Sequence, residues 1–404
     1  MTMKNRAETL YIPHEAMRFS GFRAMLETAQ KPGCSHMYGT LGMYMFSHAV
    51  WLAKAMQRGG FDRIVFIARD GYWVKRAYDV VAPALRVQVP SDYVRISRKA
   101  AFPLHFRQPE ELSQLPDWVD VTAHTPETLC TMLSPSLRMD EAPSAMEVAG
   151  LSMQQLLTEE ALPRFIAACQ QCWDAAGAAA YREHARAYIA PKFTGKCATF
   201  DVGYNLRSEA VIRDLTGADI TAFLTHTDSD APDRRGVPYR TLYGQSPCVS
   251  WVAREQFLLE DAPLCTGYDA DGPVMAGAGE RPCEAIRRSQ EDALRFVEDM
   301  VCAYGEHLAH MPFRPADGCA AFEHFLHCGP YRLMKPYRAN GVENAFHDGT
   351  KNGDSAFLQW RLMQTDLLLA RGMPVWRVRL KRALIRLQED PRSFWRKLNP
   401  FASE

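Results

Sequence analysis

The chain has 404 residues, 47 basic against 47 acidic, and is 47% hydrophobic and 23% charged. That size predicts one large domain with insertions or two domains, with a core that needs no covalent staple. Zero net charge argues against general nucleic-acid binding, and no apolar run reaches the roughly 18 residues of a transmembrane helix.

The first residues, MTMKNRAETLYIPHEAM, lack the apolar stretch of a signal peptide, so the expected setting is cytoplasmic. The 11 scattered cysteines are then expected to be reduced and mostly buried. The CxxC at Cys169–Cys172 lies in a helical run with no second pair, which disfavours metal or redox use. Leu41 to Met56 reads as a helix whose Met and aromatic stripe is core, ended by Gly59-Gly60.

Residues 62–81, DRIVFIARDGYWVKRAYDVV, carry the strongest local signal. Ile64–Ile67 predicts a buried strand, Arg69-Asp70-Gly71 a tight polar turn, and the rest an amphipathic helix. Open α/β sheets build ligand sites at such strand ends, where a helix N-terminus offers N–H groups to an anion. A second strand is predicted over Asp92–Ser97, followed by the polar cluster Ser97, Arg98 and Lys99.

From about Pro103 to Lys192 helical patterns dominate: Glu110–Leu115, Thr125–Leu133, Met153–Leu157 and Leu162–Tyr188. These predict a helical insertion or cap. Strand alternation returns at Lys196–Val202, then a turn at Gly203–Ser208 and a helix over Glu209–Leu215. Ile220–His226 predicts another strand, ending in Thr227–Asp230, and Thr241–Tyr243 a further one. Long helices follow over Ile286–His310 and Ala320–His327. His307/His310 and His324/His327 have i,i+3 spacing, but Glu306 and Glu323 sit beside them rather than on their face, which disfavours a metal site.

The last segment, Val375–Leu398, has eight Arg and Lys against one Glu and one Asp, with Trp376, Leu380, Leu384, Leu387, Phe394 and Trp395 interleaved. It reads either as an interfacial helix for an anionic membrane surface, placing the protein peripherally at the inner membrane, or as a solvated helix packed on the domain. The resulting division is 1–102 and 193–276 for an α/β core, 103–192 for the insertion, 277–374 for a helical C-terminal region and 375–404 for the basic tail.

In a parallel sheet both polar turns lie on one edge and could hold two phosphate groups of one ligand. Gly71 and Gly203 allow backbone N–H groups to approach closely, Asn205 and Ser208 can donate, and Arg207 can grip a phosphate through two parallel bonds. Tyr72 and Tyr204 complete the two turns as substrate contacts. Asp201 and Asp70 can take ribose hydroxyls or Mg2+. The plainer alternative is that both turns are helix caps.

Hydrophobic strand, acid, glycine turn with hydroxyl, then helix resembles the diphosphate-sugar loop of phosphoribosyltransferases. This chain has one acid there, Asp201, and no Thr-Gly-x-Thr. A closer resemblance covers most of the chain. IARDGY (Ile67–Tyr72), ISRKA (Ile96–Ala100), FDVGYNLRSE (Phe200–Glu209), EQFLLEDAPLCTGY (Glu255–Tyr268) and DPRSFW (Asp390–Trp395) resemble a phosphoribosyltransferase-like module of bacterial surface-polysaccharide biosynthesis proteins. That module is often fused to a haloacid-dehalogenase-type phosphatase, whose Asp-x-Asp-x-Thr signature is absent here.

The resemblance implies a Rossmann-like, phosphoribosyltransferase-like parallel core with a helical insertion and a helical C-terminal region. It implies transfer of 5-phosphoribosyl from phosphoribosyl pyrophosphate to a lipid-linked glycan acceptor, with Mg2+, and a separate phosphatase acting on the product. Arg69, Arg95, Arg98 and Lys99 would meet the pyrophosphate, with Ser97 on the Arg95 face of its strand. Asp70, or secondly Asp228, would be the acceptor's base, unless Asp228 makes an Asx turn. Glu255 and Glu260 read as helix-surface charges. Rival readings are a non-catalytic sugar-phosphate-binding or scaffold protein, and a hydrolase. The hydrolase needs a nucleophilic Asp with a second acid two residues later, a pattern that neither Asp70 nor Asp201 begins.

Overall fold

The computed structural model describes residues 10–227, 235–243, 251–277, 282–338, 356–365, 368–369 and 372–389. Its centre is a five-stranded sheet: β1 (Arg63–Ile67), β2 (Ser91–Val94), β3 (Lys196–Asp201), β4 (Asp219–Leu224) and β5 (Tyr239–Thr241). The strand order is 2-1-3-4-5 and every pairing is parallel. The order reverses between β1 and β3, whose register sets Phe66 opposite Phe200. In open α/β sheets that reversal is where two loops diverge and leave a crevice at the strands' carboxyl ends.

Alternate side chains enter two separate cores, as a pleat with both faces covered requires. Ile64, Phe66, Ala198, Phe200 and Phe223 enter the larger one. There they meet the helices α1 (Ser20–Ala29), α2 (His36–Gly59) and α3 (Gly71–Ala84). Val65, Ile67, Cys197, Ala222 and Leu224 enter the other, against α4 (Ala175–Ile189) and α5 (Arg207–Thr216). The Met and aromatic stripe of α2 is core, as expected from its pattern, with Met43, Tyr44, Met45 and Phe46 all buried.

The chain between β2 and β3 is helical, with differences in detail. A third core runs from Phe102 to Trp173. Met153–Leu157 is turn and irregular chain, not helix. The predicted helix over Leu162–Tyr188 breaks after Gln171, because Asp174 accepts from the Gly177 N–H and starts α4 afresh. Tyr181, Ala185 and Ile189 of α4 pack on the sheet, so this last helix serves the α/β layer.

After β5, α6 (Trp251–Leu258) leads to an antiparallel hairpin, β6 (Cys265–Asp269) and β7 (Gly272–Met275). The helices α7 (Glu284–Tyr304) and α8 (Pro315–Cys328) join the larger core through Phe296, Val297, Phe322 and Phe325. Finally α9 (Ala356–Gln364) and α10 (Val375–Glu389) pair. Val378 and Ile385 of α10 are buried, and Glu389 meets Arg338 and Arg361. Among the described residues no helix is long and apolar enough to cross a membrane.

Candidate active site

Both predicted turns sit at the carboxyl edge, at the ends of the adjacent strands β1 and β3. Asp70 holds the N-cap position of α3, but its carboxylate makes no capping bond. Asp201 ends β3 and accepts from the Gly203 N–H at 3.1 Å. A Cβ on Gly203 would stand 3.3 Å from Asp201 Oδ2, so the missing side chain leaves room for that carboxylate. A Cβ on Gly71 would stand 3.2 Å from Phe66 Cβ, so Gly71 lets α3 seat tightly on the sheet.

Two further acids converge here, and sequence reasoning passed over both as site residues. Glu209, in the first turn of α5, is 1% exposed, and its Oε1 has no hydrogen-bond partner among the described residues. First-turn acids ordinarily face solvent and complement the helix dipole, so the sequence signal for Glu209 is the ordinary one. Glu255, on α6, lies 4.0 Å from the Arg98 guanidinium. It was expected on a helix surface and instead turns inward, half-buried.

The four carboxyls are not independent. Burial, then the charges of Glu255 and Asp201, raise Asp70 well above the usual carboxylate range, against Arg69 and Arg98. Burial also raises Asp201, against the Gly203 amide and Arg98. Burial and Asp201 push Glu209 up to about 8. Burial pushes Glu255 up to about 7, with Arg98 and Arg254 opposing and Asp201 assisting. Arg98 is thus the cation shared by Asp70, Asp201 and Glu255. Burial and mutual repulsion thus favour protons on these carboxyls near neutrality, and a cluster of perturbed acids is a feature shared by cation sites and proton-transfer sites.

The other predicted residues divide. Arg69 stands beside Asp70, with Nη1 3.5 Å from the Ala262 carbonyl. Ser97 caps the short helix Arg98–Ala101, accepting from Ala100 N–H and donating to the Cys265 carbonyl at 2.5 Å. Arg95 lies past the end of β2 and is committed elsewhere: its two Nη atoms meet both oxygens of Glu260 at 3.3 and 3.1 Å. Tyr93 donates to the same carboxylate at 2.8 Å, so Glu260 is a buried structural partner rather than a surface charge. Lys99 is exposed. Tyr72 packs edge-on against Tyr93.

In the second turn Tyr204 is buried beside His226, ring centroids 4.8 Å apart, and its hydroxyl is raised by burial and by Glu255. Asn205 is half-buried, and Leu206 adopts the left-handed conformation at φ 56°, where glycine is the usual choice. Arg207 and Ser208 open α5, and Arg207 leans toward the insertion. There, burial first and then Arg235, Arg207 and Arg182 push His105 down to about 3. Asp228 lies outside the described residues, as does the DPRSFW segment.

Behind the site runs a buried polar brace. Arg254, fully buried, pairs with Glu323 of α8 at 2.7 and 3.0 Å, and Tyr243 donates to Glu323 at 2.8 Å. Burial alone would raise Glu323, but Arg254 and Tyr243 hold it down to about 2. This brace fixes α6, and with it Glu255, against the strand ends.

No protein-family model matches the chain, and no curated protein is significantly similar to it. An aspartyl-phosphate route needs a carboxylate two positions before the second acid. Here Ala68 occupies the position two before Asp70, and Thr199 the position two before Asp201. Among the described residues no group of three or more His, Cys, Asp or Glu side chains is preset as a metal cage. Of the two His pairs, His324 stacks on Tyr11 at 4.6 Å.

Proposed function

We propose that the protein is a phosphoribosyltransferase. It would move a 5-phosphoribosyl group from phosphoribosyl pyrophosphate to a glycan hydroxyl during assembly of a bacterial surface polysaccharide. The observation that carries this reading is the pair Asp70 and Asp201, on adjacent parallel strands at the order reversal, with Arg98 shared between them. The choice of donor and acceptor rests on the resemblance described above.

The residues fit a divalent cation. Mutually repelling carboxyls and the unsatisfied Glu209 Oε1 all favour positive charge at this point. Mg2+ is commonly held by one or two carboxylates together with substrate phosphates. Asp70 and Asp201 would hold it, and it would neutralise charge on the pyrophosphate. Arg69 and Arg98 would orient the leaving group. The C1–O bond to pyrophosphate breaks with its electron pair leaving on oxygen, a bond from the acceptor oxygen to C1 forms, and the acceptor proton passes to a carboxylate. Glu255, poised near neutrality, is better suited to take that proton than Asp70, which the cation would occupy. Positioning and stabilisation of departing charge then supply most of the rate.

Titration calorimetry with phosphoribosyl pyrophosphate tests the donor assignment. Binding should need Mg2+ and should fall at least tenfold in Asp201→Asn. Equal binding with and without Mg2+, or an unaffected Asp201→Asn, would remove the carboxylate pair from the donor site.

A further inference from the structure

The helix α10 carries two apolar faces, and the packing of the domain uses one of them. Val378 and Ile385 point inward and are buried. On the opposite side Trp376, Leu380 and Leu384 recur every four residues, which on an α-helix makes one stripe. They are 62%, 54% and 57% exposed, a density of large apolar groups that a solvated helix does not ordinarily present. The exposed cations Arg377 and Lys381 flank the stripe on one side and Arg379 on the other. The acid of this helix, Glu389, faces the domain with its side chain 2% exposed, bound to Arg338 and Arg361.

We propose that the outward stripe of α10 docks on an anionic lipid surface. Trp376, Leu380 and Leu384 would enter the acyl boundary, and Arg377, Arg379 and Lys381 would lie among the headgroups. Charge complementarity selects this occupant: the face pairs apolar anchors with cations and carries no carboxylate. Val378 and Ile385 meet the expectation of a packed helix for this segment, and the opposite face would serve the interfacial one. Because α10 docks through Val378 and Ile385, the surface would hold the α/β core in a fixed orientation rather than on a loose tether. This inference is independent of the reaction proposed above.

Co-sedimentation of the full chain with vesicles tests it. The protein should bind phosphatidylcholine vesicles containing about 30% phosphatidylglycerol and ignore pure phosphatidylcholine. Leu380→Glu with Leu384→Glu should weaken binding at least tenfold while leaving the melting temperature unchanged, since both side chains are exposed. Arg377→Ala, Arg379→Ala and Lys381→Ala should each cost about fivefold and together remove most of the salt dependence. The proposal is overturned by no binding to the anionic vesicles, by equal binding to neutral ones, or by an undiminished Leu380→Glu, Leu384→Glu variant. Capture by soluble polyglutamate with no vesicle binding would point instead to an acidic protein partner and would equally overturn it.

Discussion

Glu209→Gln should change how stability depends on pH, in a direction fixed by burial. In the unfolded chain a glutamate ionises near 4.5, whereas folded Glu209 holds its proton to about 8. Below 4.5 both states are protonated and the group contributes nothing. Between those values the folded state binds more protons, so stability falls as pH rises, and above 8 the loss is constant. One unit of displacement corresponds to about 1.4 kcal/mol, so between about pH 6 and pH 9 the native chain should lose roughly 2–3 kcal/mol through this residue. A glutamine does not titrate. Urea unfolding of both proteins at these two pH values gives the comparison. The variant's stability relative to the native chain should rise by roughly 2–3 kcal/mol from about pH 6 to about pH 9. Parallel curves would refute the assignment of Glu209 as a buried, repelled carboxyl.

Four other substitutions probe the site and the frame around it. Glu323→Gln leaves Arg254 charged and buried without its counter-ion, and should cost about 3–5 kcal/mol in denaturant unfolding; native stability would mean that the brace is not formed. Gly71→Ala puts a methyl group about 3.2 Å from Phe66 Cβ and should cost roughly 1–3 kcal/mol as α3 is pushed off the sheet; a neutral result would mean that the helix seats less tightly. Asp201→Asn and Asp70→Asn should keep or raise the melting temperature of the ligand-free protein while lowering transfer at least a hundredfold. A loss of both together would mark these acids as structural rather than functional.

The strands β1, β3 and β4 were legible because each is a short, mostly apolar run between turn residues, and parallel pairing buries both faces. The strands β2 and β5 are polar edge strands, and their bounds were read one to three residues too late. The helical insertion was legible by periodicity, but the break before α4 was not, since it depends on the Asp174 side chain reaching the Gly177 amide. Asp70 and Asp201 could be read as strand-end acids. Glu209 and Glu255 could not, because helix-surface acids and inward ones look alike until the elements are packed. Arg95 misled for the same reason: its partner Glu260 lies 165 residues away in the chain. The hairpin of β6 and β7 was hidden by glycine, proline and short length.

The most direct measurement of the central claim is a transfer assay with phosphoribosyl pyrophosphate, Mg2+ and a lipid-linked or synthetic glycan, read by mass spectrometry and by pyrophosphate release. The account predicts a glycan heavier by one phosphoribosyl unit, with stoichiometric pyrophosphate, both lost in Asp201→Asn. Tight donor binding without pyrophosphate release for any glycan tried would contradict it in favour of a sugar-phosphate-binding protein, and release of inorganic phosphate from sugar phosphates would contradict it in favour of a hydrolase.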